Sequence, residues 1–329
     1  MSNADQYPAE LNCRPMQGRI PDYRSGPELL AAREVPLGGT RSMTVFRTIP
    51  QRRRSFVGAW CFADRYGPDD VSLTAGMDVP PHPHAGLQTV SWLFQGEVEH
   101  RDSIGTESLV KPGELNLMTA GSGIAHSEVS TRSTTVLHGM QLWTVLPKGK
   151  RNIAPAFEHY VPPLLEESGL RARVFMGSLL SQRSPVQTAT PLVGAELIVE
   201  PQHSIEIPVD DTFEHCLVID AGPIYVRDVR IESATLAYFC SGQSSIPIKN
   251  PSAKPARVML LGGTPIDEDI VMWWNFIGET HEDIVALREE WQQHSNRFGE
   301  VAGYQGQIQH LPAPALPNSK LLPRVNPST

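Results

Sequence analysis

Turn signals punctuate this chain roughly every 8–12 residues, a spacing that leaves room for short strands and for few helices. The 29 prolines and 26 glycines in 329 residues exceed what a helical protein tolerates. Between the turns lie runs rich in β-branched and aromatic residues. Residues 43–47, 55–62, 88–94, 97–100, 107–110, 115–118 and 136–146 read as strands of a first half. Residues 171–176, 195–199, 204–209, 215–220, 223–226, 236–240 and 257–261 read as strands of a second. Residues 64–70 read as a polar turn, and 155–169, with Pro162-Pro163 inside, as a connection. At 40% hydrophobic residues the chain has enough apolar material for a real core. The expectation is an all-β sandwich or barrel.

The two halves share an order. His215-Cys-Leu-Val-Ile-Asp-Ala-Gly222 parallels Val90-Ser-Trp-Leu-Phe-Gln-Gly96, and Leu236-Ala-Tyr-Phe-Cys-Ser-Gly242 parallels Leu115-Asn-Leu-Met-Thr-Ala-Gly121. One strand unit is used twice. The last element differs. Thr280 reads as a helix N-cap with Asp283 three residues on, and Ile284, Leu287 and Trp291 follow at helical spacing. An amphipathic helix is expected over 281–295.

Two pairs of potential metal ligands flank the strands of the first half: His82-Pro-His84 and His126-Ser-Glu128. In a strand, residues i and i+2 point to one face, roughly 6.5–7 Å apart. Each pair can therefore aim both side chains at one point, and two neighbouring strands would bring all four together. Imidazoles with a carboxylate suit iron(II), and also nickel, copper, manganese or zinc. A lone histidine on a strand is ordinarily a surface or satisfied core residue, and one His-x-His arises often by chance. Two such dyads around one meander are much rarer. The second half has neither dyad, so one ion per chain is expected. Its Glu214 and His215 are adjacent and face opposite ways in a strand, which makes His215 structural. Gly121 and Gly123 read as turn residues, since no Lys-Ser/Thr follows to make a phosphate loop.

The net charge is −8, with no basic run beyond Arg52-Arg53-Arg54. That argues against nucleic acid as a direct ligand, because phosphate binding needs clustered Lys and Arg. Cys13, Cys61, Cys216 and Cys240 form no C-x-x-C, and the first ten residues lack an apolar signal core. No apolar run reaches the roughly 20 residues that span a membrane. A reduced, cytoplasmic protein is expected.

His82-Pro-His84-x-Gly86, Glu99-His100-Arg101-Asp102-Ser103, Pro112-Gly113 and Met118-Thr-Ala-Gly121-x-Gly123-Ile-x-His126-Ser-Glu128 resemble the pirin signature. Trp273-Trp-Asn-Phe276 is similar to the bacterial branch of that family. The resemblance covers residues 30 to about 295. It implies a bicupin, two β-barrel or jelly-roll cupin domains with a C-terminal α-helix that crosses to the other domain. The expected division is an N-terminal arm over 1–25, a metal-binding cupin over 26–155 and a degenerate cupin over 156–277. The helix region over 278–298 and a Pro-rich tail over 299–329 complete it. The resemblance also implies His82, His84, His126 and Glu128 as the ligands of a mononuclear site, usually of iron. Many pirins carry Arg, Phe and Glu where this chain has Ala85, Leu87 and Gln88. The mouth here loses charge, and Glu128 is left to supply the carboxylate.

Functions of two classes follow from the resemblance. One is a quercetinase-type dioxygenase that opens flavonol rings, with Glu128 as the base and a small aromatic substrate. The other is a non-enzymatic, iron-dependent redox sensor that binds a transcription factor or a metabolic enzyme. A closed, purely structural metal is a third reading. A monomer is expected in each case.

Overall fold

The computed structural model describes residues 26–37, 43–72, 76–324 and 326. The expected N-terminal arm and Cys13 lie outside them. Two seven-stranded antiparallel sheets form the centre. The first runs, in spatial order, Ala156–Tyr160, Leu115–Thr119, Leu87–Gln95, Val136–Val145, Trp60–Asp70, Met43–Ile49 and Arg33–Leu37. The second runs Glu28–Ala31, Thr235–Phe239, Glu214–Ala221, Ala256–Gly263, Leu192–Val199, Leu170–Met176 and Leu165–Glu167. A four-stranded sheet accompanies each. In the first half it is Asp78–His84, Ile124–Ser130, Val98–Asp102 and Glu107–Val110. In the second it is Ser204–Pro208, Ser245–Lys249, Ile224–Val226 and Val229–Ile231. This is the all-β bicupin expected from the sequence.

Strand alternation assigns each side chain to one of two cores. Cys216 and Val218 join Trp60, Phe62, Val90, Trp92, Trp143 and Phe175 in the cluster between the halves. Leu217 and Ile219, one residue out of phase, line the second barrel with Leu197, Ile224, Val226 and Ile248. The seam between halves is aromatic and tight. Trp60 Nε1 donates across it to the carbonyls of Val193 and Gly262, both at 3.1 Å. Trp92 meets Phe175 with ring centroids 4.7 Å apart. Each such burial contributes on the order of 1.5–3 kcal/mol.

The halves also exchange strands. Glu28–Ala31 pairs with Thr235–Phe239 of the second sheet, and Ala156–Tyr160 pairs with Leu115–Thr119 of the first. Residues 155–169 are thus more than a connection, since they hold Ala156–Tyr160 and Leu165–Glu167, each at the outer edge of its sheet. An edge strand is half exposed and carries a weak apolar pattern, which hides it in the sequence. The expected polar turn over 64–70 is the continuation of the strand Trp60–Asp70. Its first two charges are paired rather than solvated: Arg47 Nε and Nη2 donate to Asp64 at 2.8 Å each, and Arg65 Nε donates to Asp220 Oδ1 at 2.7 Å.

The helix spans His281–Gln292, ending a turn earlier than the sequence suggests. Thr280 caps it: the hydroxyl accepts from Asp283 N at 3.1 Å while the Asp283 carboxylate accepts from Thr280 N at 2.9 Å. Ile284, Leu287 and Trp291 are buried with Val271, Trp273, Trp274 and Phe276, and with Ala85 and Ala125 of the first half. The helix packs on the hairpin Val271–Gly278, and its apolar face shares one cluster with side chains of the first half. The tail beyond it returns to the first half, where Ala125 N donates to Phe298 O at 3.0 Å and Leu311 N to Pro81 O at 2.8 Å. No helix among the described residues is long and apolar enough to cross a membrane.

Asp220 is the ionic hub of the seam, 1% exposed, with His138 Nε2 at 2.6 Å, Arg65 Nε at 2.7 Å and Arg257 Nη1 at 3.1 Å. Removing one partner of a buried pair strands the others. Asp220→Ala should lower stability in urea unfolding by roughly 3 kcal/mol or more. Loss of the exposed Arg230–Glu232 pair should leave the urea midpoint nearly unchanged; equal losses would show that Asp220 is no hub.

Candidate metal centre

Three strands of the four-stranded sheet build the site. Ile124–Ser130 is the middle one, with Asp78–His84 on one side and Val98–Asp102 on the other. The register sets His126 opposite His82 on one side and opposite Asp102 on the other. Glu128 stands opposite His100. Directly paired residues of antiparallel strands share a face, so both dyads point into the first barrel together.

The register shifts between His126 and Glu128, whose partners are His82 and Val79. One residue is extra on the first strand, and it falls at Pro80-Pro81. Proline has no N–H to give a ladder, so a bulge is where a strand can hold it. The loops beyond the dyads are tied as well, with Gly86 N donating to Gly121 O at 2.9 Å. Gly86 has φ +77°, and a Cβ there would lie 2.2 Å from Ile277 O. Only glycine lets the hairpin before the helix cross so close.

His82, His84 and His126 are fully buried, and Glu128 is 1% exposed. One ligand atom from each of the three histidines lies within 4.8 Å of the others, and the same holds for His100, His126 and Glu128. The ring centroids of His82, His84 and His126 are 5.2, 4.4 and 5.0 Å apart pairwise. Burial pushes His82 down to about 4 and holds His84 and His126 well below the usual imidazole range. Glu128 is buried with them, and its Oε1 lies 3.0 Å from Ser91 Oγ. Neutral imidazoles are the state that binds a divalent cation, and Glu128 supplies a carboxyl group beside them. The donors fit one.

Neighbours fix the orientation of these groups. His82 Nδ1–H donates to Pro80 O at 2.7 Å, which puts the ring's lone pair on Nε2. Ser91 Oγ lies 3.0 Å from Glu128 Oε1 and 3.1 Å from the Gln141 side-chain amide. Gln88, the residue that departs from the pirin pattern, is bonded at both ends of its amide. It donates to Thr119 Oγ1 at 2.8 Å and accepts from Thr144 Oγ1 at 3.1 Å. Trp92 and Phe94 belong to the seam between halves. Met118 sits with Ala120, Ile124 and Phe157 beside the second dyad.

The sequence reading missed His100, Asp102, Ser91 and Gln141. A signal existed for the first two, because His100-Arg101-Asp102 is a third i, i+2 pair on a strand. Ser91 and Gln141 carry no local signal; only sheet pairing sets them opposite each other. His138 lies in the seam on Asp220. His215 is buried in its strand opposite Phe239 and Gly262 of the second sheet, remote in the fold from the dyads.

Comparison with known proteins identifies the family. The Pirin family model matches residues 40–144, and the model of the Pirin C-terminal cupin domain matches 194–299. A Pseudomonas aeruginosa protein, named provisionally as a quercetin 2,3-dioxygenase, is 38% identical over 290 residues, 88% of this chain and 90% of that one. A pirin-like protein of Caulobacter vibrioides is 33% identical over 270 residues, covering 79% of this chain and 91% of its own. The crystal structure of an Acinetobacter baumannii quercetin 2,3-dioxygenase superposes with a TM-score of 0.85 at 38% identity, over 90% of this chain and 97% of that one. With both cupin halves matched and relatives of this identity aligned over nearly their whole length, the chain belongs to the pirin family.

Proposed function

We propose that His82, His84, His126 and Glu128 hold one divalent metal ion per chain. Iron(II) is the first choice, and nickel, copper, manganese and zinc fit the same donors. We further propose that the loaded protein is a dioxygenase that opens the central ring of a flavonol. The observation that carries this reading is the buried set of three imidazoles whose ligand atoms lie within 4.8 Å of one another, with the Glu128 carboxyl group two residues from His126 on the same strand. The names of the Pseudomonas and Acinetobacter relatives point to the same substrate class.

When bound, the ion supplies Lewis acidity that makes the flavonol hydroxyl easier to ionise. The chain's own residues do the rest. Glu128 is the base for that hydroxyl proton, and Ser91 at 3.0 Å holds its Oε1 in place. The barrel wall excludes water, which strengthens each polar contact inside it. The interior cluster of the second barrel is built mainly from Leu, Ile, Val and Ala, and among the described residues the candidate donor groups all lie in the first half. The role of the second barrel is to back the first through the aromatic seam.

Replacing His84 or His126 by Ala should cut bound metal sharply in elemental analysis while the β-rich circular dichroism survives, since the cores are apolar. His138→Ala and His215→Ala should leave metal content unchanged. Equal loss from both sets would place the site elsewhere. Purified protein loaded with iron(II) should consume quercetin slowly and only with dioxygen. Glu128→Ala should lose that turnover by at least ~100-fold, within the usual contribution of a general base. A fully loaded protein, whether with iron(II), copper or nickel, that turns over no flavonol would defeat the dioxygenase reading. The weight would then pass to an iron-dependent protein partner.

A further inference from the structure

His100 and Asp102 stand beside the proposed ligands, and the proposed function gives them no task. Both are buried, at 3% and 2% exposure. His100 Nδ1 lies 3.3 Å from His126 Nδ1, and His100 Nε2 lies 3.2 Å from Asp102 Oδ2. The other oxygen of Asp102 accepts from Ile104 N at 3.1 Å and from Thr106 N at 2.9 Å. The carboxylate is therefore pinned in the turn that follows its strand.

The hydrogen-bond logic of these contacts runs in one direction. An ionised carboxylate only accepts, so His100 Nε2 must carry the proton it donates to Asp102. A neutral imidazole has one N–H, so His100 Nδ1 carries a lone pair. Across 3.3 Å that lone pair calls for a donor, which is His126 Nδ1–H. The lone pair of His126 then sits on Nε2. His100 has both nitrogens engaged, so the second donor set of His100, His126 and Glu128 is not the one that takes the ion.

We propose that His100 and Asp102 are positioning residues that fix the tautomer of His126 through the chain Asp102–His100–His126, leaving His126 Nε2 to bind the metal. The proposal rests on the reading of His82, His84, His126 and Glu128 as ligands. It parallels the hydrogen bond from His82 to Pro80, but the acceptor here is a side chain and can be altered.

Asp102→Asn is the decisive variant. The two backbone N–H groups of Ile104 and Thr106 require an oxygen facing them, so the new amide must turn its NH2 toward His100. His100 then has to accept on Nε2 and carry its proton on Nδ1. His126 Nδ1 becomes an acceptor, and its proton moves to Nε2, where it opposes metal binding. The side-chain volume and the turn are kept. Cobalt(II) titration of the purified apoprotein, followed by its visible spectrum, should give a Kd about 10–100-fold weaker for Asp102→Asn. His100→Leu should weaken it over a similar range of about 10–100-fold. His100→Asn sets an amide oxygen near the old Nδ1 position and should restore affinity to within about threefold of wild type. X-ray absorption of the cobalt-loaded forms should count three imidazoles in wild type and in every His100 variant.

Wild-type affinity in Asp102→Asn and His100→Leu, beside a large loss in His84→Ala, would overturn the relay and leave the ligand reading standing. A drop to two imidazoles in His100→Leu would make His100 a ligand and overturn the relay. A wild-type chain that takes up no cobalt(II), or whose affinity ignores His84→Ala, would overturn the ligand reading and the relay with it.

Discussion

The pairing of His82 with His126 across two antiparallel strands is the constraint on which the rest of the site depends. A strand has a period of two, so a slip of one residue would turn one dyad out of the barrel. The register is held from several directions. His126 and Glu128 share a face by strand alternation, and the bulge at Pro80-Pro81 absorbs the one extra residue of the partner strand. Gly86 and Gly121 tie the ends of the two strands by a backbone bond of 2.9 Å. Hydrogen bonds from Ala125 to Phe298 and from Leu311 to Pro81 fasten the outer side of both strands to the tail. Elements more than 170 residues away in sequence therefore set the geometry of the dyads.

The two barrels show what one scaffold does with different interiors. Both present a seven-stranded sheet to the seam and carry a four-stranded sheet beside it. The second fills its inside with Leu, Ile and Val. The first replaces part of that filling with imidazoles and a carboxylate, which burial penalises when charged. Burial holds His82, His84 and His126 below the usual imidazole range, which favours their neutral form. The apolar cluster of Val45, Tyr66, Val79, Leu93, Val98, Val110 and Leu137 remains to hold the barrel together beside them. The aromatic seam, with Trp60 donating to two carbonyls of the opposite half, keeps the barrels from moving independently.

Much of this was legible in the sequence, for physical reasons that differ by element. The dyads were visible because strand geometry turns an i, i+2 spacing into a shared face. The helix start was visible because Thr280 and Asp283 satisfy each other's backbone donors locally. Edge strands were not visible: Ala156–Tyr160 is half exposed and has no clear alternation. Residues 64–70 misled because Asp64 and Arg65 find their partners only in distant strands, on Arg47 and Asp220. Ser91 and Gln141 share that cause, since a polar residue in an apolar strand shows its role only when its cross-strand neighbour is known.

The most direct test of the central claim is the position of the metal itself. An anomalous-difference map at the iron edge, from crystals of the iron(II)-loaded protein, would show it without reference to activity. The account predicts one strong peak per chain inside the first barrel, within bonding distance of His82, His84, His126 and Glu128, and none in the second. A peak on His100 and Glu128 that leaves out His82 and His84, or one in the second barrel, would contradict it.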